Sequence, residues 1–204
     1  MSHPIPVDRA YAGEVTGPAL RKDAARNRQR IVEIGRELVA EGTPIQLNEV
    51  ARAAGVGVAT VYRHFPTPQA LIEAVAAEGL ETLIQAAEQA VEQDDPWTAF
   101  RDFLVRIVDA QLSDAALPPV LSAPTAALPG TAQLLDQLSS LFTRLFERAA
   151  DAGRLAPGVT LADMTPLICG IAFSARMHPA VDPQGQAAAG RHYLDVVLNG
   201  LRAR

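Results

Sequence analysis

The segment from 47 to 65, LNEVARAAGVGVATVYRHF, constrains this chain more than any other. It reads as a short helix, a glycine turn and a second short helix. Two helices of that size bury too little apolar surface to stand alone. Their close packing points to a docking device, a helix-turn-helix that sets its second helix in a DNA major groove. Val50, Ala54, Val56 and Val61 are spaced to meet between the helices, because positions i and i+4 share a face. Ala51 is small where the two helices approach. Gly55 falls at the end of the first helix, where a left-handed residue costs glycine least. Gly57 is an acceptable N-cap for the second. Val58, Ala59, Thr60, Tyr62, Arg63 and His64 are left on or near the outer face. The hydroxyls of Thr60 and Tyr62 suit phosphate oxygens. Arg63 suits a phosphate or a guanine edge, and Val58 or Ala59 a thymine methyl. The plain alternative is an ordinary αα-hairpin in which Gly55 is only a cap, but such a hairpin would not expose Thr-x-Tyr-Arg-His together.

The phrase AGVGVATVYRHFPTPQALIEAV (54–75) resembles the signature of the TetR/AcrR-type bacterial transcriptional regulators. The resemblance is strong over residues 25 to 90 and extends weakly to AGRLAPGVTLADM at 152–164. It implies an N-terminal three-helix DNA-binding domain, a helical ligand-binding and dimerisation domain, and repression relieved by a small molecule. It also implies that Thr60 and Tyr62 stand at positions used on operator phosphates, and that Phe65 packs the recognition helix onto its neighbours. Two positions depart from the family pattern. Pro68 stands where many members carry Lys at the start of the fourth helix. Gln46, counted among the DNA-facing residues, stands where many carry a Thr or Ser cap.

Net charge is −5, which by itself argues against DNA. Its distribution reverses the argument. Residues 21–65 hold eight Lys plus Arg against five Asp plus Glu, giving +3, whereas residues 66–204 hold nine against sixteen, giving −7. A basic head on an acidic body neutralises phosphates locally while the body resists nonspecific adhesion. The densest basic run, Arg21, Lys22, Arg26, Arg28 and Arg30, lies where the first helix is expected to begin. Basic residues at a helix N-terminus oppose the macrodipole, so they serve either as a solvated helix start or as phosphate and minor-groove contacts.

Aromatic residues make up only 5 % of a chain rich in Ala and Leu, and β-type alternation is scarce, so the fold class expected is all-α. Residues 1–20 read as a tail, 21–66 as the helix-turn-helix domain and 67–204 as the regulatory body. The tail lacks an apolar targeting core, and the longest run without Asp, Glu, Lys or Arg, residues 115–135, holds four prolines and reads as a connection, not a membrane span. A cytoplasmic location is the simplest expectation. The single cysteine, Cys169, rules out an internal disulfide and any multi-cysteine metal site. It reads as a small buried hydrophobe, with a redox sensor as the alternative.

Helices are expected near 23–41, 68–92, from Asp95 onward, 114–122, 131–151, from Thr160 onward and 186–202. Pro166 is expected to kink one of them or shift its boundary. The helix from 68 starts beside the head and ends in the body, which makes it the mechanical link. Trp97, Phe100, Phe103, Leu104, Phe142, Phe146, Phe173 and Met177 form the candidate lining of an apolar effector site, with Met164 in the same set. Residue by residue, each also fits plain core. Leu167, Ile168, Ile171, Leu194, Val197, Leu198 and Leu201 supply apolar stripes for a homodimer through the last two helices, or for internal packing. No catalytic signature, cofactor motif or metal-ligand spacing occurs, and His3, His64, His178 and His192 are scattered. The expectation is a homodimeric regulator on a palindromic operator, acting as a ligand-responsive repressor. An activator, a helix-turn-helix protein-interaction module and a helical ligand carrier remain the alternatives.

Overall fold

The computed structural model describes residues 18–179 and 182–203, with side chains from residue 22 onward. Nine helices occur among the described residues: α1 (Pro18–Ala40), α2 (Leu47–Ala54), α3 (Val58–His64), α4 (Pro68–Val91), α5 (Pro96–Ser113), α6 (Leu117–Leu121), α7 (Pro129–Asp151), α8 (Leu161–Arg176) and α9 (Pro183–Leu201). The only β-type pairing there is an isolated bridge between Leu155 and Arg202, which ties the end of α9 to the α7–α8 connection. No described helix is long and apolar enough to cross a membrane.

Proline explains many of the helix starts. It occupies the first turn of α4, α5, α6, α7 and α9, where its missing N–H is an orphan in any case and its fixed φ is already helical. Side-chain caps complete several of these starts. Thr67 Oγ1 accepts the Ala70 N–H at 3.1 Å, Asp95 Oδ2 the Thr98 N–H at 2.9 Å, and Asp182 Oδ1 the Gly185 N–H at 2.7 Å. Asp163 reaches back to the Thr160 N–H at 2.8 Å, the carboxylate half of a capping box. Pro166 does not break α8, which runs on through it. The expected tail lies mostly outside the described residues, but Pro18, Leu20 and Arg21 already belong to α1, which therefore starts before the Asp23 read from the sequence.

α1, α2 and α3 form the head. Val50, Val61 and Ile31 are fully buried, and Ala51, Ala54 and Phe65 nearly so. Each of the larger side chains contributes roughly 1.5–3 kcal/mol by leaving water. Gly55 ends α2 at φ 63°, the left-handed turn expected of it. α5, α7, α8 and α9 build the body around α4, and one continuous core runs from Ile31 in α1 to Leu198 in α9.

α4 holds head and body together. At its head end, Gly35 of α1 lets the helices meet so closely that a Cβ there would stand 3.0 Å from Leu71 and 3.2 Å from Val75. Arg36 pairs with Glu78 at 3.2 Å across the same seam. On the body side, Gly79 faces the α5–α6 corner, where a Cβ would lie 2.9 Å from Asp114 Oδ2. At its far end, the Arg148 guanidinium of α7 donates to the Val91 and Gln93 carbonyls at 2.5 and 2.6 Å. Glu73 supplies the most unusual tie. It is fully buried, and its carboxylate accepts the N–H groups of Ala127 (2.7 Å) and Leu128 (2.8 Å) at the start of α7, plus Gln69 Nε2 at 3.2 Å. A buried anion at a helix N-terminus is held by the orphan N–H groups and the positive end of the dipole.

Candidate functional site

The first site is the outer face of the head. α3 is only two turns long, and Val61 and Phe65 anchor its inner side. Its other side carries Val58 (46 % exposed) and Tyr62 (45 %), an unusual exposure for residues of this size. Ala59 and Arg63 are exposed beside them, and Thr60 and His64 are half-buried. Thr60 sits in the first turn, its N–H bonded to the Gly57 carbonyl at 2.8 Å. Of the six α3 residues expected to face DNA, Val58, Ala59, Tyr62 and Arg63 are exposed together, and Thr60 and His64 flank them half-buried. Gln46 stands at the α2 N-cap without a side-chain bond, so its amide is left for an outside partner.

Helix α1 brings its cations to this surface. The Arg28 guanidinium lies 5.5 Å from the centre of the Phe65 ring, a cation–π contact at the end of the recognition helix. Arg30 Nη2 reaches the Gly55 turn, 3.1 Å from where a Cβ would be. Lys22 and Arg26 are exposed on the preceding turns, while the Arg21 side chain lies outside the described residues. Burial, followed by the charges of Arg28 and Arg63, holds His64 below its ordinary value of 6.5. The surface is therefore basic, with Arg fixed in place and one imidazole biased to the neutral form.

The second site is a cavity of about 310 Å³ in the body, between α5, α6, α7 and α8. Its wall is formed by Ile107, Gln111, Val120, Leu121, Leu135, Leu138, Phe142 and Ile168, with Ala123 beside them and Asp136, Ser139, Thr165 and Cys169 adding polar atoms. Burial pushes the Cys169 thiol above its ordinary 9.0, so it stays protonated at neutral pH. Gln111 is the exceptional wall residue. It is 1 % exposed, and neither its amide N nor its amide O has a hydrogen-bond partner. Each such orphaned group costs about 1–3 kcal/mol. The Gln111 backbone is firmly held, because Arg176 of α8 donates to its carbonyl.

The apolar residues expected to line this site divide into three groups. Phe142 does line the cavity. Trp97, Phe100, Phe103, Leu104 and Phe146 instead form a packed aromatic core beside it, with Phe100 stacked on Phe142 at 6.0 Å and edge-on to Phe146 at 5.9 Å. Trp97 lies under the Arg202 guanidinium, 5.5 Å from the ring centre. Phe173 and Met177 are corrected outright, being 67 % and 71 % exposed. They stand at i, i+4 on the face of α8 opposite the buried stripe of Met164, Ile168, Ile171 and Ala175. Of the two uses expected for the apolar stripes of the last two helices, internal packing takes the larger share. Ile168, Ile171, Leu194 and Leu198 are spent on packing within the chain, and Leu167, Val197 and Leu201 are half-buried against it. Gln111 went unnoticed because a lone Gln in an apolar helix reads as surface.

Among the described residues, no group of three His, Cys, Asp or Glu side chains is placed to hold a metal ion. Their large exposed hydrophobics are Val58 and Tyr62 on α3, Phe173 and Met177 at the end of α8, and Val196 on α9.

Residues 34–75 match the family described as bacterial regulatory proteins, tetR family, and residues 95–203 match the C-terminal domain of SbtR-like transcriptional regulators. The crystal structure of a TetR transcriptional regulator from Streptomyces coelicolor is 31 % identical and covers 86 % of this chain and 98 % of its own, with a TM-score of 0.51. FadR from Bacillus subtilis in complex with stearoyl-CoA, at 16 % identity and 85 % and 98 % coverage, shares the fold with a TM-score of 0.59. An HTH-type transcriptional regulator from Staphylococcus aureus is 42 % identical over 72 residues, a match spanning 34 % of this chain and 39 % of that relative's length. With a helix-turn-helix in the head and a regulator C-terminal domain matched across the body, the chain belongs to the TetR family of helix-turn-helix transcriptional regulators.

Proposed function

We propose that this protein is a ligand-responsive repressor that works in the cytoplasm as a homodimer on a palindromic operator. The observation that carries this reading is the exposure of Val58 and Tyr62 on α3 within the head, with Phe173 and Met177 exposed at the end of α8 and Val196 on α9. The patch on α3 sits within a basic surface, as a groove-reading helix requires. Thr60, Tyr62 and the α1 cations Lys22 and Arg26 would meet phosphates there. Val58, Ala59 and Arg63 would meet base edges, with Gln46 and His64 at the margins. The exposed Phe173 and Met177 at the end of α8, and Val196 on α9, suit a two-fold contact with a second copy, since a symmetric interface pairs a surface with itself. One short recognition helix reads few base pairs, and pairing two of them on half-sites roughly 34–36 Å apart multiplies specificity.

The body cavity supplies the switch. It opens onto α6 and α7, and the start of α7 is bonded to α4 through Glu73. A ligand that favours one arrangement of these helices shifts α4 and, with it, the spacing of the two α3 helices. The size of the response is set by the ligand's differential affinity for the two states. An electrophoretic shift on DNA flanking the protein's own gene, with dimeric protein at low salt, tests this function. A sequence-specific shift at a palindrome is expected; folded dimer that shifts every sequence alike would sink the operator reading.

A further inference from the structure

We propose that the effector is a compact, uncharged and mostly apolar molecule carrying one carboxamide- or lactam-type group, which pairs with the side-chain amide of Gln111. The inference rests on the ligand-responsive reading above and assigns the chemistry of its site. Three observations carry it. The cavity, at about 310 Å³, lies at the small end of the range for ligand pockets, roughly 300–1,000 Å³, which fits a ring compound better than a long chain. Its wall is chiefly Ile107, Val120, Leu138, Phe142 and Ile168, so most of the ligand must be apolar. The exception is Gln111, whose amide N and O are both unpartnered and covered, so the side chain must turn into the cavity to pair with a ligand.

An amide presents one donor edge and one acceptor, side by side. The group that satisfies both at once offers an acceptor and a donor at the same spacing, as a second amide does. A lone carbonyl or ether satisfies only the Gln111 NH₂. Charge narrows the choice further. The cavity wall carries no Lys, Arg or His, and its one acidic residue, Asp136, is exposed at the rim. A carboxylate ligand would therefore enter a mostly apolar pocket with no counter-charge and with an anion at the mouth. Gln111 is also well placed to report occupancy. Its carbonyl holds Arg176 at the end of α8, and three residues further along the chain Asp114 abuts Gly79 of α4.

Benzamide, benzoate and toluene, three ligands of nearly one shape, test the proposal on the full-length dimer by isothermal titration. Benzamide should bind in the cavity roughly tenfold or more tightly than toluene, the worth of one or two hydrogen bonds, with benzoate the weakest. Gln111→Met keeps the length of the side chain and should erase the preference for benzamide over toluene. Leu121→Trp, which fills the cavity from α6, should abolish benzamide binding without touching Gln111. Benzoate binding as well as benzamide, a preference that survives Gln111→Met, or no saturable benzamide binding up to its solubility limit would each overturn the proposal. The titration is done without DNA, so these results are independent of the operator shift that tests the repressor reading.

Discussion

Glu73→Gln is the substitution that most directly tests how α4 is fixed to the body. The side chain keeps its size, yet two carboxylate oxygens become one oxygen and one NH₂. In the native chain both oxygens accept backbone N–H groups, from Ala127 at 2.7 Å and Leu128 at 2.8 Å. The glutamine must lose one of these bonds and turn a donor toward a donor, within a site where the side chain is fully buried. A hydrogen bond to a charged group is worth about 1.5–3 kcal/mol, and the orphaned N–H adds a desolvation cost of similar order, reduced because Ala127 stands near the surface. The expected loss is about 3 kcal/mol, or roughly 6–12 °C in Tm for a chain of this size. Chemical denaturation and calorimetry of the two proteins measure it directly. The crystal structure of the variant should show α7 starting later or displaced from α4. A loss below about 1 kcal/mol with α7 unmoved would refute the view that this carboxylate clamps the two helices.

Three other substitutions probe the remaining sites. Tyr62→Phe should weaken binding by roughly tenfold or more per protomer, equally on all operator variants; an altered base preference in a binding-site selection would contradict a phosphate role. Phe173→Asp should raise the dimer dissociation constant about 100-fold or more, because two-fold symmetry counts each lost side chain twice, and sedimentation showing an intact dimer would move the interface elsewhere. His64 is held below 6.5 by burial, Arg28 and Arg63, so between that depressed value and 6.5 the unfolded chain binds more protons than the folded one. Stability should therefore fall as pH drops through 6.5 towards the depressed value, and His64→Gln should flatten that part of the Tm–pH profile, whereas an unchanged slope would exclude His64 as the source.

The head was legible in the sequence because its constraints are local. Val50, Ala54 and Val61 meet through i, i+4 spacing, and the turn at Gly55 needs nothing from the rest of the chain. The body was legible only as helices. Spacing says that Ile168 and Phe173 lie on different faces of α8, but not which face the other helices cover, so the two exposed side chains were placed in the ligand site and the buried stripe at the dimer interface. The role of Glu73 is not legible from local pattern, because its partners are 54 and 55 residues away. One signal was present: Ala70, Leu71, Ala74, Val75 and Ala76 surround it, and a turn that is apolar all round belongs inside. Gln111 follows the same rule, between Val108 and the α6 contacts, and its meaning depends on a cavity that no local pattern encodes.

The seat of Gly79 against the α5–α6 corner carries a mechanical consequence. At 1.5 Å per residue, it stands about 16 Å from the start of α4 and about 18 Å from its end. If the ties at Glu73 and Arg148 yield and α4 pivots about Gly79, it is a see-saw with equal arms, and its two ends travel in opposite senses by nearly the same distance. Only Phe65, Pro66 and Thr67 separate α4 from the recognition helix, which leaves little slack to absorb the motion. A tilt of about 5° therefore displaces each end by roughly 1.4 Å, and in a two-fold dimer the separation of the two reading heads changes by up to about twice that. Under the proposed ligand-responsive function the gearing would be close to one-to-one: an effector would have to move the body about as far as the DNA is to feel.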